Sequence, residues 1–457
     1  MLRPYLPKHH CSTSSRGHRV LGSVAWLFLT LVPAAAQDWD LGARGATALS
    51  NVTDHTLQLN FEQRVRYEDR TGNNFGKDVD TSNGLVRFRF GLTYTPLPWL
   101  KLSGMVQDSR APGYGPGAPN NLRDPADWHE GYIELFPAAK KGFGATVGRM
   151  MIAYGDGRLI GTPQWSNLAR TYDQARIYWR ASRFRIELLA VSIVKVRIGE
   201  FNFPVPGDRV WGTYNSFPNI FGKQLLEAYL LRHQQNRPGG FTGGSKSDGT
   251  DKLANTTFGF HLAGPLSHGV KYSLEAALQR GMVGPAELDA AAGAAVLSRR
   301  WNVNGHPLDV GAEYKYASGT ANPADPTRTG TFDQLYPANH DKFGHEDLFG
   351  WRNIHNARSF ADFGITKALA IHFMYDNYWL ANAKDALYNG TGRAIVRSAT
   401  GSAGRHAGQE TDVFGTYKRG HFTFGGGYGH FFPGVFILKT TPGVGPTYLY
   451  VFQTYSL

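Results

Sequence analysis

Between Leu57 and Glu68, apolar and polar residues alternate. Leu57, Leu59, Phe61, Val65 and Tyr67 fall on one face, and Gln58, Asn60, Glu62, Arg64, Arg66 and Glu68 on the other. Strict alternation marks a strand, whose successive side chains point to opposite faces. Six polar residues in a row on one face suit the water-filled interior of a barrel whose outer face meets lipid. The pattern recurs. Val86, Phe88, Phe90, Leu92 and Tyr94 oppose Arg87, Arg89, Gly91, Thr93 and Thr95. Ala175, Ile177 and Trp179 oppose Gln174, Arg176, Tyr178 and Arg180. Ile186, Leu188, Ala190 and Val194 oppose Arg185, Glu187, Lys195 and, further on, Arg197.

Continued to Leu457, this reading gives about 18 strands, an even number as in bacterial outer-membrane barrels. One segment, near Ala290 to Trp301, carries an alanine run that reads equally as helix. Odd connections are long or medium and nearly all even ones are short, the asymmetry of outer-membrane barrels. One long connection, Thr331 to Ile354, is rich in aromatic residues that need something to pack on. The expected fold is all-β: a transmembrane antiparallel β-barrel of about 18 strands, with long extracellular loops and short periplasmic turns.

The N-terminus fits export. Arg3, Lys8, Arg16 and Arg19 precede an apolar run, Val20 to Val32, and Ala34-Ala35-Ala36 offers a cleavage site. Residues 1–36 read as a Sec-type signal peptide, without a twin-arginine pair, and residues 37–457 as one barrel domain in the outer membrane. Cleavage removes Cys11, the single cysteine, so the mature chain has no disulfide and no cysteine metal site. It leaves 44 basic against 36 acidic residues, about +8, where the whole chain is +12. A basic surplus points to nucleic acid, anionic lipid or anionic solutes, and export argues against nucleic acid. No mature segment is apolar for long enough to form a transmembrane helix.

Several runs resemble one family. They are EYKYASGTANPADP (313–326), TFDQLYPANHDKFGHEDLFGWRNI (331–354), GRMMIAYGDGRLIG (148–161) with Trp165-Ser166-Asn167, WLANAKDALYN (379–389) and GYGHFFPGVFI (427–437). Together they resemble the alginate export family of outer-membrane barrels, from about residue 50 to the end. The resemblance implies an 18-stranded barrel whose basic lumen passes an anionic uronate polysaccharide, such as alginate, outward. Expected partners are outer-membrane lipid, an anionic polysaccharide or small anions, and periplasmic export proteins. The alternative is a general or substrate-specific porin for uptake of small anionic solutes. A barrel enzyme is a third class, but no nucleophile with a base on neighbouring strands can be placed.

Two sets of residues are candidates. Arg64, Arg66, Arg87, Arg89, Arg176, Arg180, Arg185, Lys195 and Arg197 lie on polar faces and could line an anion pathway; equally, they could pair with Glu62, Glu68 and Glu187. Asp333, Tyr336, Pro337, His340, Gly344, Asp347, Trp351 and Asn353 form a loop motif that could gate the mouth. His340, His345, Glu346 and Asp347, with His355 beyond, match no standard zinc spacing. Hydrogen bonds within the loop, or contact with polysaccharide, are the competing readings, and Asp333 and Asp347 could pair with Arg352 or Lys342. Gly155-Asp156-Gly157-Arg158 lacks the ending of a phosphate loop and reads as a turn. No cofactor, metal or catalytic residue is expected.

Overall fold

The structure is a computed structural model. It describes Thr47, Ser50 and residues 56–114, 122–137, 141–236 and 252–457. Those of the signal-peptide and N-terminal readings (1–54), apart from Thr47 and Ser50, lie outside the described residues, as does most of the Gly-rich stretch at 237–251. The barrel is a compact unit over Leu59–Leu457.

Eighteen long strands form the wall: β1 (Leu57–Thr71), β2 (Thr81–Leu97), β3 (Leu100–Arg110), β4 (Asp124–Leu135), β5 (Gly142–Met150), β6 (Tyr172–Arg180), β7 (Arg185–Lys195), β8 (Asp208–Pro218), β9 (Leu225–Gln235), β10 (Leu253–Pro265), β11 (Val270–Val283), β12 (Ala286–Val303), β13 (His306–Ala317), β14 (Ile354–Gly364), β15 (Leu369–Leu380), β16 (His406–Arg419), β17 (Phe422–Pro433) and β18 (Thr447–Ser456). Each pairs antiparallel with its sequence neighbour. The ring closes where β1 meets β18, in register from Glu62↔Ser456 to Thr71↔Thr447. Closure leaves no strand edge unpaired, which lipid requires because it offers backbone N–H and C=O groups no partner.

Burial is inverted relative to a soluble protein. Phe90, Val147 and Leu188 point outward and are 52%, 56% and 53% exposed, while Arg64 and Arg66 point inward and are 5% and 2% exposed. The outward residues form the apolar band that meets lipid. The alternation read from the sequence therefore assigns the faces correctly.

The connections divide by end. One end carries the short turns: 98–99, 136–141, 181–184, 219–224, 266–269, 304–305, 365–368 and 420–421. The other carries most of the long loops, including loop 3 (151–171), loop 7 (318–353), loop 8 (381–405) and loop 9 (434–446), which holds helix α1 (Val435–Thr440). One connection departs from expectation. The sixth is a two-residue turn, Gly284-Pro285, because β11 and β12 both run further than their alternation suggests. The alanine run of β12 is strand. Its alanines pair with β11 residues, Ala292 opposite Ala277 and Ala294 opposite Glu275, and the ladder overrides alanine's helix preference.

Replacing Phe90 by Arg tests the lipid-facing assignment. At the outer wall of β2 it should destabilise the barrel by about 2–4 kcal/mol, read as a shift in reversible unfolding from lipid vesicles. An unchanged midpoint would mean that the face is not in lipid.

Candidate functional site

Loop 3 folds inward and fastens to two parts of the wall. Its first anchor is the arginine set of β1 and β2. Arg64 donates through Nη1 to the Gln164 carbonyl (2.9 Å), and through Nη2 to those of Trp165 (3.1 Å) and Ser166 (2.9 Å). Arg66 donates to the Trp165 carbonyl at 2.5 Å and lies 4.0 Å from the Trp165 ring centre. Arg87 donates to the Gln164 and Ser166 carbonyls at 3.1 and 2.9 Å. Arg89 reaches the Gln164 side chain at 2.9 Å and that of Gln107 at 2.7 Å. The wall's own carboxylates share these cations: Arg87 pairs with Glu62 and Arg66 with Glu68, both at 2.7 Å. A buried guanidinium without such partners would carry a penalty of several kcal/mol.

The second anchor is Arg158. Its Nη2 lies 2.6 Å from Glu313, and its Nε 3.7 Å from Glu275. Glu313 also takes Lys315 at 3.0 Å and Arg358 at 3.6 Å. Those two cations hold loop 7: Lys315 donates to the Lys342 carbonyl, and Arg358 to the Asp341 carbonyl at 2.5 Å. One wall cluster thus fixes both loops.

The loops also hold each other. Tyr336 N–H donates to the Leu159 carbonyl (2.8 Å), Gly161 N–H to the Tyr336 carbonyl (2.9 Å) and Ala338 N–H to the Gly157 carbonyl (2.9 Å), with a parallel bridge between Ile160 and Tyr336. The Trp165 ring stacks on His340, centres 4.7 Å apart. The Gly155-to-Arg158 stretch is a turn, as expected, but its side chains reach the far wall.

Loop 7 is a packed element within the lumen. Phe332, Leu335, Tyr336, Phe349 and Trp351 are buried. Asp333 accepts from His233 (2.6 Å) and Asn255 (2.8 Å), and Tyr336 OH donates to Asp208. The Pro337 carbonyl accepts from Arg170 at 3.0 Å. Trp351 Nε1 donates to the Tyr316 carbonyl at 2.9 Å. Asn353 bonds the carbonyls of Asn382 and Ala386 at 3.1 and 2.8 Å, tying loop 7 to loop 8. Gly344 has φ +83°, and a Cβ there would lie 2.1 Å from Glu410 Oε1, so only glycine lets the loop approach this wall.

The histidine motif divides. His340 bonds Asp347 at 2.8 Å and His345 bonds Tyr450 OH at 3.1 Å, both inside the lumen. His355 lies on the outer face, against Tyr314 OH at 2.6 Å. Asp333 and Asp347 bond His233 and His340; the Arg352 charge also acts favourably on Asp333, and Lys342 pairs with Asp341. Among the described residues, no three His, Cys, Asp or Glu are arranged to hold a metal ion.

The remaining cations are spread along the wall. Arg176 lies 3.6 Å from Glu187, which also takes Arg185. Arg180 sits 5.4 Å from the Tyr178 ring centre. Lys195 is exposed at the last residue of β7, and Arg197 lies beyond that strand, paired with Glu200 at 3.6 Å. Arg197 is thus a loop residue, because the strand ends before its alternation does.

One constellation escaped the sequence. Glu227, His261 and Ser273, on adjacent strands β9, β10 and β11, form a chain: Glu227 to His261 Nδ1 at 2.8 Å, and His261 Nε2 to Ser273 Oγ at 2.9 Å. The order is that of a nucleophile, base and orienting acid. However, Asp156 of loop 3 lies 3.3 Å from Ser273 Oγ. Hydrolysis needs donors for a developing oxyanion beside the nucleophile, and a carboxylate is the opposite. The arrangement suits binding.

Two expectations follow for the loops. Burial pushes the Glu346 carboxyl up to about 8, with Asp412 and Asp347 adding to this and Arg70 opposing it. Glu346 N–H donates to Glu410 at 3.0 Å, and its carbonyl accepts from Arg70 at 3.0 Å. A raised carboxyl favours the packed loop fully below about 4.5, and that support fades as pH rises through about 8. Single-channel current should become noisier between pH 7 and 9, and Glu346→Gln should remove the dependence. Second, Glu313→Gln leaves Arg158, Lys315 and Arg358 short of their shared partner. Stability should fall by about 3–5 kcal/mol and open-channel conductance should rise; a variant matching the parent in both would show that this cluster does not hold the loops.

Comparison with known proteins bears on the fold and the family. A family model described as alginate export matches residues 54–450. No curated protein sequence matches the chain. Among solved structures it is similar to Pseudomonas aeruginosa OccK2 (OpdF) in complex with glucuronate, at 10% identity, TM-score 0.58, covering 88% of this chain and 98% of that one. P. aeruginosa OpdK with vanillate gives 10% identity, TM-score 0.58 and the same coverages. A BenF-like porin from Pseudomonas fluorescens Pf-5 gives 11%, 0.58 and the same coverages. At such identities these likenesses speak for the fold, an outer-membrane porin barrel. With the family model covering most of its length, the chain belongs to the alginate export family.

Proposed function

We propose that this protein is a passive outer-membrane channel for small carboxylated solutes, drawn in by the lumen arginines. One observation supports the reading: loops 3 and 7 fold into the lumen and are hydrogen-bonded to each other, and Arg64, Arg66 and Arg87 of the wall hold loop 3 there through its carbonyls. Basic rings at a constriction favour anions, and paired crossing loops favour small ones. That a structural neighbour was solved with glucuronate supports the same class.

A second reading, export of an anionic uronate polysaccharide with periplasmic partners, is supported by the family match. It requires both loops to withdraw. In either case residues 1–36 are the signal peptide, residues 37–457 the mature barrel, and outer-membrane lipid the surrounding partner.

Planar bilayers separate the readings. A salt gradient should give an anion-selective reversal potential, and glucuronate should interrupt the current while a long polyuronate does not enter. Passage of the polymer would favour export. Equal effects of glucuronate and a neutral sugar would end the anion reading altogether.

A further inference from the structure

We propose that the outer wall of the barrel carries a binding site for the phosphate of an outer-leaflet glycolipid, formed by Arg209 of β8 and Arg232 of β9 beside a groove between β6 and β8. The site faces lipid and not the lumen. It goes beyond the proposed function and is independent of which solute the channel passes.

Strand register places the site. Ala175, Ala190, Trp211, Arg232, Thr256 and Arg280 are successive partners on β6 to β11, so they share the outward face. Trp211 is exposed there, as in an aromatic girdle. Arg209 is also exposed and lies two residues further along β8 on the same face, about 7 Å away along the strand and opposite Gln234. The long connections beyond these strand ends, 196–207 and 236–252, put this end on the extracellular side. An arginine on the lipid face is costly at the bilayer midplane and tolerated near the interface, so the pair belongs at headgroup level.

Charge then singles out these two cations. The arginines to either side are matched, Arg149 with Asp173 at 2.7 Å and Arg280 with Asp289 at 2.5 Å. Arg232 donates through Nη1 to Thr256 Oγ1 at 3.1 Å, and Arg209 lies 5.6 Å from the Trp211 ring centre. Among the described residues neither pairs with a carboxylate, so most of the five donors of each guanidinium remain available. The two stand on the diagonal of a strand pair, roughly 7–8 Å apart, which lets both long side chains reach one phosphate. Guanidinium groups bond phosphate in bidentate fashion. Beside them a groove of about 480 Å³ is floored by Ala175 and Ala190 and edged by Ser192, Arg209, Trp211 and Gln234. One rung toward the membrane centre, the larger Ile177 and Leu188 fill the wall. The groove thus joins a small apolar floor to hydroxyl and amide groups beneath a cationic mouth. A glycolipid phosphate brings the anion, the sugar and the acyl chain that these three parts match.

The test uses the whole barrel in detergent, with native mass spectrometry counting the lipid it retains. The probes are bis-phosphorylated lipid A, the same lipid with its phosphates removed, and phosphatidylglycerol. The parent should retain the phosphorylated lipid A preferentially. Arg209→Gln combined with Arg232→Gln should lower its affinity by about tenfold, as expected for lost hydrogen bonds to a charged group. Arg209→Lys with Arg232→Lys should keep most of it, and Ala190→Phe, which fills the groove and changes no charge, should weaken it. Single-channel conductance should match the parent in every variant, showing that the barrel is folded. Equal retention of lipid A with and without phosphate overturns the site, as does a glutamine pair or an Ala190→Phe variant that binds like the parent. Preference for phosphatidylglycerol overturns the glycolipid assignment.

Discussion

Lipid offers the backbone no hydrogen-bond partner, and the rest of the structure depends on this constraint. The chain meets it by pairing β1 with β18, so that the ladder has no edge. Closure then forces the polar faces inward. The wall presents Arg64, Arg66, Arg87, Arg158's partners Glu275 and Glu313, Lys315 and Arg358 to an enclosed space. Charges shielded from bulk water must find partners. Neighbouring strands supply some, such as Glu62 for Arg87. The loops supply the others. Loop 3 satisfies cations with main-chain carbonyls on one side and carboxylates with Arg158 on the other.

Because of that division, the two loops act as one body. Arg158 of loop 3 and the carbonyls of Asp341 and Lys342 in loop 7 meet at one cluster around Glu313. The backbone bonds between 157–161 and 336–338 add a direct link. Withdrawing loop 3 alone would take the carbonyl partners from Arg64, leave Arg66 and Arg87 only Glu68 and Glu62, and break the pairing with loop 7. Local opening of either loop is therefore coupled to the other, in the way that packed elements share one stability.

Much of the wall was legible in the sequence. Period 2 is a local signal, and it placed Arg64 and Arg87 inward and Phe90 outward. It failed where residues carry little polarity: the alanines of β12 look alike on both faces, and the Gly284-Pro285 turn was hidden among them. The loop motif at Thr331 to Ile354 was legible as packed, because so many aromatic residues cannot stay in water. Its partners were not. His233 and Asp208 lie about a hundred residues away, and no local pattern announces them. The partners of the β1–β2 arginines were hidden more thoroughly, since main-chain carbonyls have no sequence identity. Glu227, His261 and Ser273 lie on strands whose alternation is weaker, and only the register between three strands brings them into line.

The two proposed readings, small solute and polymer, differ in what would have to replace loop 3. Its three carbonyls accept six hydrogen bonds from Arg64, Arg66 and Arg87. Bonds from a guanidinium to a carboxylate are stronger than those to a neutral carbonyl, so an anion can compete for this site. A single sugar acid replaces at most one carbonyl and leaves the loop anchored by the others and by Arg158. A polyuronate presents a carboxylate on every residue and could occupy all three arginines in succession, offsetting the loss of loop 3 as a whole. On the proposed reading, the same wall would serve small anions with the loops in place, and a polymer only if the chain of carboxylates itself displaced them.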